Sequence, residues 1–193
     1  MAKMFSAHPL EQFAEKLKTP AGKGVIVEYL PSNGMVHLFA ARGKTAAVER
    51  ALGIKGSPGR SSVTKEFSAL PLSPGQWLLI CERPDLSGSF ADWVKGKLKG
   101  NGYVSEQSDS RVRLRLSGPR VTELMQKGCR LDLDPDATGA GWCAQTQMAQ
   151  CSVVLHQVND NPVYDILVYS GFVRNFAEWL EHTGAQLGIR FKI

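Results

Sequence analysis

The sequence predicts an α+β fold: two tandem split β-α-β-β-α-β units, with helices packed on antiparallel or mixed sheets. Three observations carry this. Strand and helix patterns run in the order strand, helix, strand, strand, helix, strand over residues 35–107, and again over 111–193 when the segments within 151–169 are counted as one strand. Nothing in that order resembles the doubly wound sheet of a nucleotide-binding domain. A chain of 193 residues with 43% apolar content can also bury a sizeable core. The expected organisation is an N-terminal arm over 1–22, then one compact domain over 23–193, with halves of about 23–108 and 109–193.

The arm carries Pro9 and Pro20 and one short helical pattern around Leu10 to Leu17. "GVIVEYL" (24–30) and "MVHLFA" (35–40) flank "PSNG", which reads as a β-hairpin because Asn33-Gly34 accept positive φ. "GKTAAVERALG" (43–53) reads as a short helix closed by Gly53. "SSVTKEF" (61–67) alternates weakly as a strand, and "QWLLICE" (76–82), apolar on both faces, reads as a central one. Phe90, Trp93, Val94 and Leu98 form one helical stripe, with Lys95, Lys97 and Lys99 near its C-terminus and Gly100 as the stop. A strand follows at Tyr103 to Gln107.

The second half opens with "RVRLRLSG" (111–118), which places Val112, Leu114 and Leu116 inward and Arg111, Arg113 and Arg115 outward. Pro119 then precedes a helix carrying Val121, Leu124 and Met125 on one face and stopping at Gly128. "RLDLDP" is an extended exit with Leu131 and Leu133 turned inward, and Gly139 to Trp142 swings the chain into a strand near 143–149. Strands at 151–158 and 163–170 are joined by an Asn/Asp/Pro turn. The last helix sets Phe172, Phe176, Trp179, Leu180, Thr183 and Leu187 on one face before Gly188 releases the strand "IRFKI".

Composition narrows function mainly by exclusion. A net charge of +5 suits acidic partners but is far from a polyanion-binding tail, so nucleic acid is not expected. No apolar run reaches the roughly 18–20 residues that span a bilayer, and "MAKMFSAHPLEQF" does not read as a signal peptide, so a cytoplasmic location without membrane contact is expected. Cys81, Cys129, Cys143 and Cys151 contain no C-x-x-C and read as small buried hydrophobes. Four scattered histidines form no metal-binding spacing, so no metal site is expected. Gly43-Lys44-Thr45 lies between a strand and a helix, but the first glycine of a phosphate loop is replaced by Leu38, which leaves an ordinary helix start. Without G-x-S-x-G or an activated cysteine, no catalytic residue is assigned.

Two features suggest a partner interface. Arg111, Arg113 and Arg115, joined by Arg120, can grip a phosphate or a carboxylate-rich tail through bidentate bonds, although alternating charge is also the solvent face of an ordinary strand. Trp142 follows Gly139-Ala140-Gly141, where it serves either as an intramolecular lid or as an anchor in a partner surface.

Four blocks, in order and spacing, resemble the gamma subunit family of heterotetrameric sarcosine oxidases. They are Leu70-Pro71-Leu72 leading into Pro74 and "QWLL"; "RLRLSGPRVTELMQKGCRLDLDP"; "GAGWCAQTQMAQCSVVL"; and "YDILVYSGFVRNFAEWLEHTGAQLGI". They cover roughly residues 70–189, with a weaker match at "AAVERALG". Gln76 stands where the family usually has an acid, and Asp134 where it often has a histidine. The resemblance implies a fold related to part of the folate-binding aminomethyltransferases. It also implies an accessory, non-catalytic role beside alpha, beta and delta subunits that hold FAD, covalently attached FMN, NAD and tetrahydrofolate. Such a complex demethylates sarcosine to glycine, forms hydrogen peroxide and passes the one-carbon unit to tetrahydrofolate. The alternatives are a subunit of a related N-methyl amino-acid dehydrogenase, or a free-standing folate-binding aminomethyltransferase-like protein.

Overall fold

In a computed structural model, which describes residues 24–55, 57–134 and 137–192, eleven strands and four α-helices form two sheets, each carrying a helix pair. The expected arm over 1–22 lies outside the described residues. The strands are β1 (Val25–Leu30), β2 (Met35–Ala40), β3 (Ser62–Val63), β4 (Phe67–Ser73), β5 (Gln76–Cys81), β6 (Gly102–Glu106), β7 (Arg111–Ser117), β8 (Cys143–Met148), β9 (Cys151–Asn159), β10 (Val163–Tyr169) and β11 (Ile189–Lys192). The helices are α1 (Thr45–Leu52), α2 (Phe90–Leu98), α3 (Val121–Gly128) and α4 (Val173–Gly184).

One sheet has the order β3-β4-β5-β2-β6 and the other β11-β1-β7-β10-β9-β8. Side-chain alternation along each strand sorts the apolar residues into three layers. Val36, Leu38, Trp77 and Leu79 pack the first sheet onto α1 and α2. Val112, Leu114, Leu116, Leu155 and Ile166 pack the second onto α3 and α4. Met35, Leu70, Leu78 and Ile80 meet Cys143, Val154 and Leu167 between the two sheets. The result is a four-layer stack: helices, sheet, sheet, helices.

Two glycines shape the helices. Gly53 closes α1 at φ 66°, the left-handed conformation that costs glycine least. Gly128, the last residue of α3, allows a close helix contact: a Cβ there would lie 2.5 Å from Cζ2 of Trp179 on α4.

Three expectations are corrected. The segments at 24–30 and 35–40 do not pair as a hairpin. β1 lies between β7, antiparallel, and β11, parallel, whereas β2 pairs with β5 and β6 in the other sheet. Val25 and Val27 drop into the core over α3 and α4, and "PSNG" becomes a crossover between sheets. The strand expected at 61–67 breaks into β3 and β4, because the Thr64 hydroxyl accepts hydrogen bonds from the amides of Glu66 and Phe67 and turns the chain. Phe172 is 51% exposed because α4 starts one residue later, after a 3-10 turn at Ser170–Phe172.

Candidate functional site

The polar side chains of greatest interest share the layer between the sheets. Arg111, Arg113 and Arg115 do not face solvent as expected. They do alternate with Val112, Leu114 and Leu116, but the face they occupy lies between the sheets, so Arg111 and Arg113 are only 6% and 8% exposed and Arg115 is half-buried. Strand period fixes which residues share a face but does not show what covers that face.

Asp165 on β10 pairs in register with Arg115 on β7 and His156 on β9. Its carboxylate is fully buried and accepts four hydrogen bonds. Arg113 donates from Nε at 3.0 Å and Nη2 at 2.7 Å to Oδ2, while Arg115 donates from Nε at 2.7 Å to Oδ1 and from Nη2 at 2.9 Å to Oδ2. Arg113 Nη1 also reaches both oxygens of Glu82, at 3.2 and 3.3 Å, across the sheet interface. The Ser68 hydroxyl donates to Glu82 Oε1 at 2.9 Å. Two guanidiniums and two carboxylates therefore neutralise one another within hydrogen-bonding distance. Burial alone would push the Asp165 carboxyl up; the guanidiniums of Arg115 and Arg113 outweigh it and hold the group below the usual carboxylate range. In return, the hydrogen bond to Asp165 raises Arg115.

His156 extends this cluster. Its Nε2 lies 3.0 Å from the Ser61 hydroxyl, and its Nδ1 is buried without a hydrogen-bond partner among the described residues. Burial pushes its basicity down, so the ring is held neutral. Ser61, His156 and Asp165 are the residue types of a hydrolytic triad, but the arrangement lacks the required bond. Asp165 is taken up by two arginines, and Nδ1 has no carboxylate to orient it. The cluster is suited to locking two sheets together, with no activated nucleophile.

The other arginines behave differently. Arg120 binds Glu123 through Nε and Nη2 at 2.8 and 2.9 Å and donates from Nη1 to the Gln186 carbonyl at 3.0 Å, tying the start of α3 to the turn after α4. Arg111 stacks on the Tyr169 ring at 4.3 Å, donates to the Tyr169 hydroxyl at 2.8 Å and reaches Gln107 Oε1 at 3.4 Å. Trp142 is half-buried against the α3/α4 core. Its loop is clamped by the facing segment: Arg60 donates to the carbonyls of Ala140 and Thr138, and the Ser61 amide to that of Gly141. All four cysteines are buried and free, and burial pushes the Cys143 thiol up to about 11. Among the described residues no group of three His, Cys, Asp or Glu side chains is placed to hold a metal.

Sequence reasoning missed Asp165, Glu82, Ser68, His156 and Ser61 because they lie on separate strands and loops and form no motif. One signal was present. "VYDILVY" is apolar except for its aspartate, and an acid inside a two-faced apolar strand needs a buried cation.

The family model of the sarcosine oxidase, gamma subunit family, matches residues 39–186. The sarcosine oxidase subunit gamma of Corynebacterium sp. (strain P-1) is 27% identical over 180 residues, covering 89% of this chain and 86% of that protein. The subunit gamma of an Arthrobacter sp. is 28% identical over 179 residues, with the same coverage. Among solved structures, a chain of the heterotetrameric sarcosine oxidase from Corynebacterium sp. U-96 superposes with a TM-score of 0.80 at 23% identity, covering 97% of this chain and 98% of that one. The aminomethyltransferase T of the Bartonella henselae glycine cleavage system superposes at 0.68 with 13% identity, over 95% of this chain and 58% of that one, a likeness of fold. With the family model matching well over half of its length, the chain belongs to the sarcosine oxidase gamma subunit family.

Proposed function

We propose that this chain is the accessory gamma subunit of a heterotetrameric sarcosine oxidase and plays a structural, non-catalytic part in it. The carrying observation is the family match over 39–186, joined by relatives that align along nearly their whole length. The inter-sheet cluster supports the structural role, because the Asp165 and Glu82 carboxylates that could act as acid or base are held by arginines and Ser68. The two halves, about 23–108 and 109–193 after an arm at 1–22, are read as tandem split units. In the first, β4-β5-β2-β6 is the strand order such a unit gives; the second departs from it, with β1 inserted between β7 and β11 and with three strands, β8, β9 and β10, between α3 and α4 where such a unit has two.

In this reading the alpha, beta and delta subunits are the partners, FAD, covalently attached FMN, NAD and tetrahydrofolate belong to them, and the complex is cytoplasmic. No helix among the described residues is long and apolar enough to cross a membrane. The complex oxidises sarcosine to glycine with hydrogen peroxide, and the one-carbon unit passes to tetrahydrofolate. Arg120, Trp142 and Arg111 border the partner surface, whereas Arg113 and Arg115 act by holding the sheets that present it. The test is co-expression of the tagged chain with the three other subunits: co-elution through affinity and size-exclusion steps is expected, and a chain that elutes alone contradicts the proposal.

A further inference from the structure

Arg111 is the one arginine of the β7 stripe without a carboxylate. Its neighbours Arg113 and Arg115 share Asp165 and Glu82, but no acidic side chain among the described residues lies within ion-pair distance of Arg111, although it is 6% exposed. Its recorded partners, the Gln107 amide oxygen and the Tyr169 hydroxyl, are neutral and leave several of its five N–H donors unused. A buried charge with only neutral partners is expensive to keep, and an anion that completes it recovers that cost.

Arg111 lines an open cleft of about 350 Å³, together with Leu30, Pro31, Ser32, Ser108, Asp109 and Ser170. Pro31 and Leu30 give it an apolar wall; the hydroxyls of Ser108 and Ser170 already donate to Glu106 and to the Asp109 carbonyl, and that of Ser32 accepts from the Gly34 amide, so Arg111 is the donor that an anion would meet. The volume lies at the small end of ligand pockets. The cleft therefore combines a guanidinium held over the Tyr169 ring and bonded to its hydroxyl with room for a small group beside it. We infer that this cleft is a carboxylate-binding site with Arg111 as its anchor.

The charge count selects the ligand class. Arg113 is already neutralised, so the cleft presents one uncompensated buried cation, which matches one carboxylate group, whether of a monoacid or of one end of a diacid whose other end stays in water, better than a phosphate with both charges on one centre. Asp109 sits on the exposed rim, where water carries its charge, and opposes any anion that enters. A carboxylate can come from a free small organic acid or from an acidic side chain of another subunit; the chemistry at Arg111 is the same. This inference does not depend on the catalytic identity of the complex.

The test is titration of the full chain with acetate, succinate and inorganic phosphate at low salt, following the Nε–H resonance of Arg111 by NMR. Saturable shifts of that resonance with the carboxylates, weaker with phosphate, are expected. Arg111→Gln should weaken succinate binding at least tenfold, Arg111→Lys should fall between the two, and Asp109→Asn should bind tighter than the natural chain. A second arm repeats the titration on the assembled complex. Retained, Arg111-dependent binding assigns the site to a free acid; loss of succinate binding there, together with weaker co-elution of the Arg111→Gln chain, assigns it to a partner's acidic side chain. The inference is overturned if no carboxylate moves the Arg111 resonance and Arg111→Gln assembles as well as the natural chain. Tyr169→Phe, which keeps the stack but removes one hydroxyl, controls for misfolding: it should fold and still bind.

Discussion

Replacing Asp165 with asparagine keeps the side-chain shape and removes the charge on which two arginines converge. Four N–O contacts of 2.7–3.0 Å end on this carboxylate. After the change Arg113, its side chain 9% exposed, keeps only Glu82 as a charged partner, while Arg115, at 31%, recovers part of its hydration. Breaking a buried pair from one side typically costs about 3–5 kcal/mol, and the partial exposure of Arg115 places this case near the lower end, about 3 kcal/mol. With an m-value of about 2 kcal/mol/M, the urea midpoint at pH 7 should fall by roughly 1.5 M. The pH profile provides a second reading. Because the folded carboxyl is held below its unfolded value, its contribution is complete above about pH 4 and is lost as pH falls through the lower folded value. Urea titrations at pH 7 and pH 3 should therefore show the two proteins converging in acid. A midpoint for Asp165→Asn within about 0.3 M of the natural chain at pH 7 would refute the claim that this cluster holds the sheets together.

Three further outcomes concern other parts of the fold. Gly128→Ala places a Cβ 2.5 Å from Trp179 Cζ2, so thermal or urea unfolding should show a loss of about 1–3 kcal/mol that Trp179→Leu partly restores. His156 is held neutral by burial, so its folded value lies below the unfolded one. Stability should then decline as pH drops below about 6.5, and His156→Gln should flatten part of that slope, with His37, also lowered by burial, acting in the same direction. Cys143, with its thiol pushed up to about 11 and buried like the other three cysteines, should resist a thiol reagent at pH 8 until denaturant is added.

Much of the fold was legible because strong patterns have few structural solutions. The continuous apolar run "QWLLIC" had to be buried on both faces, and β5 does lie between β4 and β2, with Trp77 and Leu79 facing the helices and Leu78 and Ile80 facing the other sheet. The stripe of α4 was equally plain from Phe176 to Leu180, and failed at both ends: one 3-10 turn intervenes at Phe172, and another, Ala185–Leu187, carries Leu187 beyond the helix. What could not be read was pairing between distant segments. "PSNG" satisfies a hairpin and a sheet-to-sheet crossover equally well, and only the vacancy between β7 and β11 decides between them. The alternation of Arg111, Arg113 and Arg115 looks the same on a wet face as on one covered by a second sheet. Their burial becomes visible only with Asp165 and Glu82 in place, 50 and 31 residues from the arginines they hold. The family blocks carried what periodicity could not, because they record a whole arrangement in sequence.

The most direct test of the central claim is native mass spectrometry of the assembly formed when this chain, tagged, is produced with the alpha, beta and delta subunits, alongside sarcosine turnover by the complex and by the chain alone. The account predicts one species containing a single copy of each subunit, with turnover confined to it. An isolated chain that oxidises sarcosine, or a fully active complex from which this chain is missing, would contradict it.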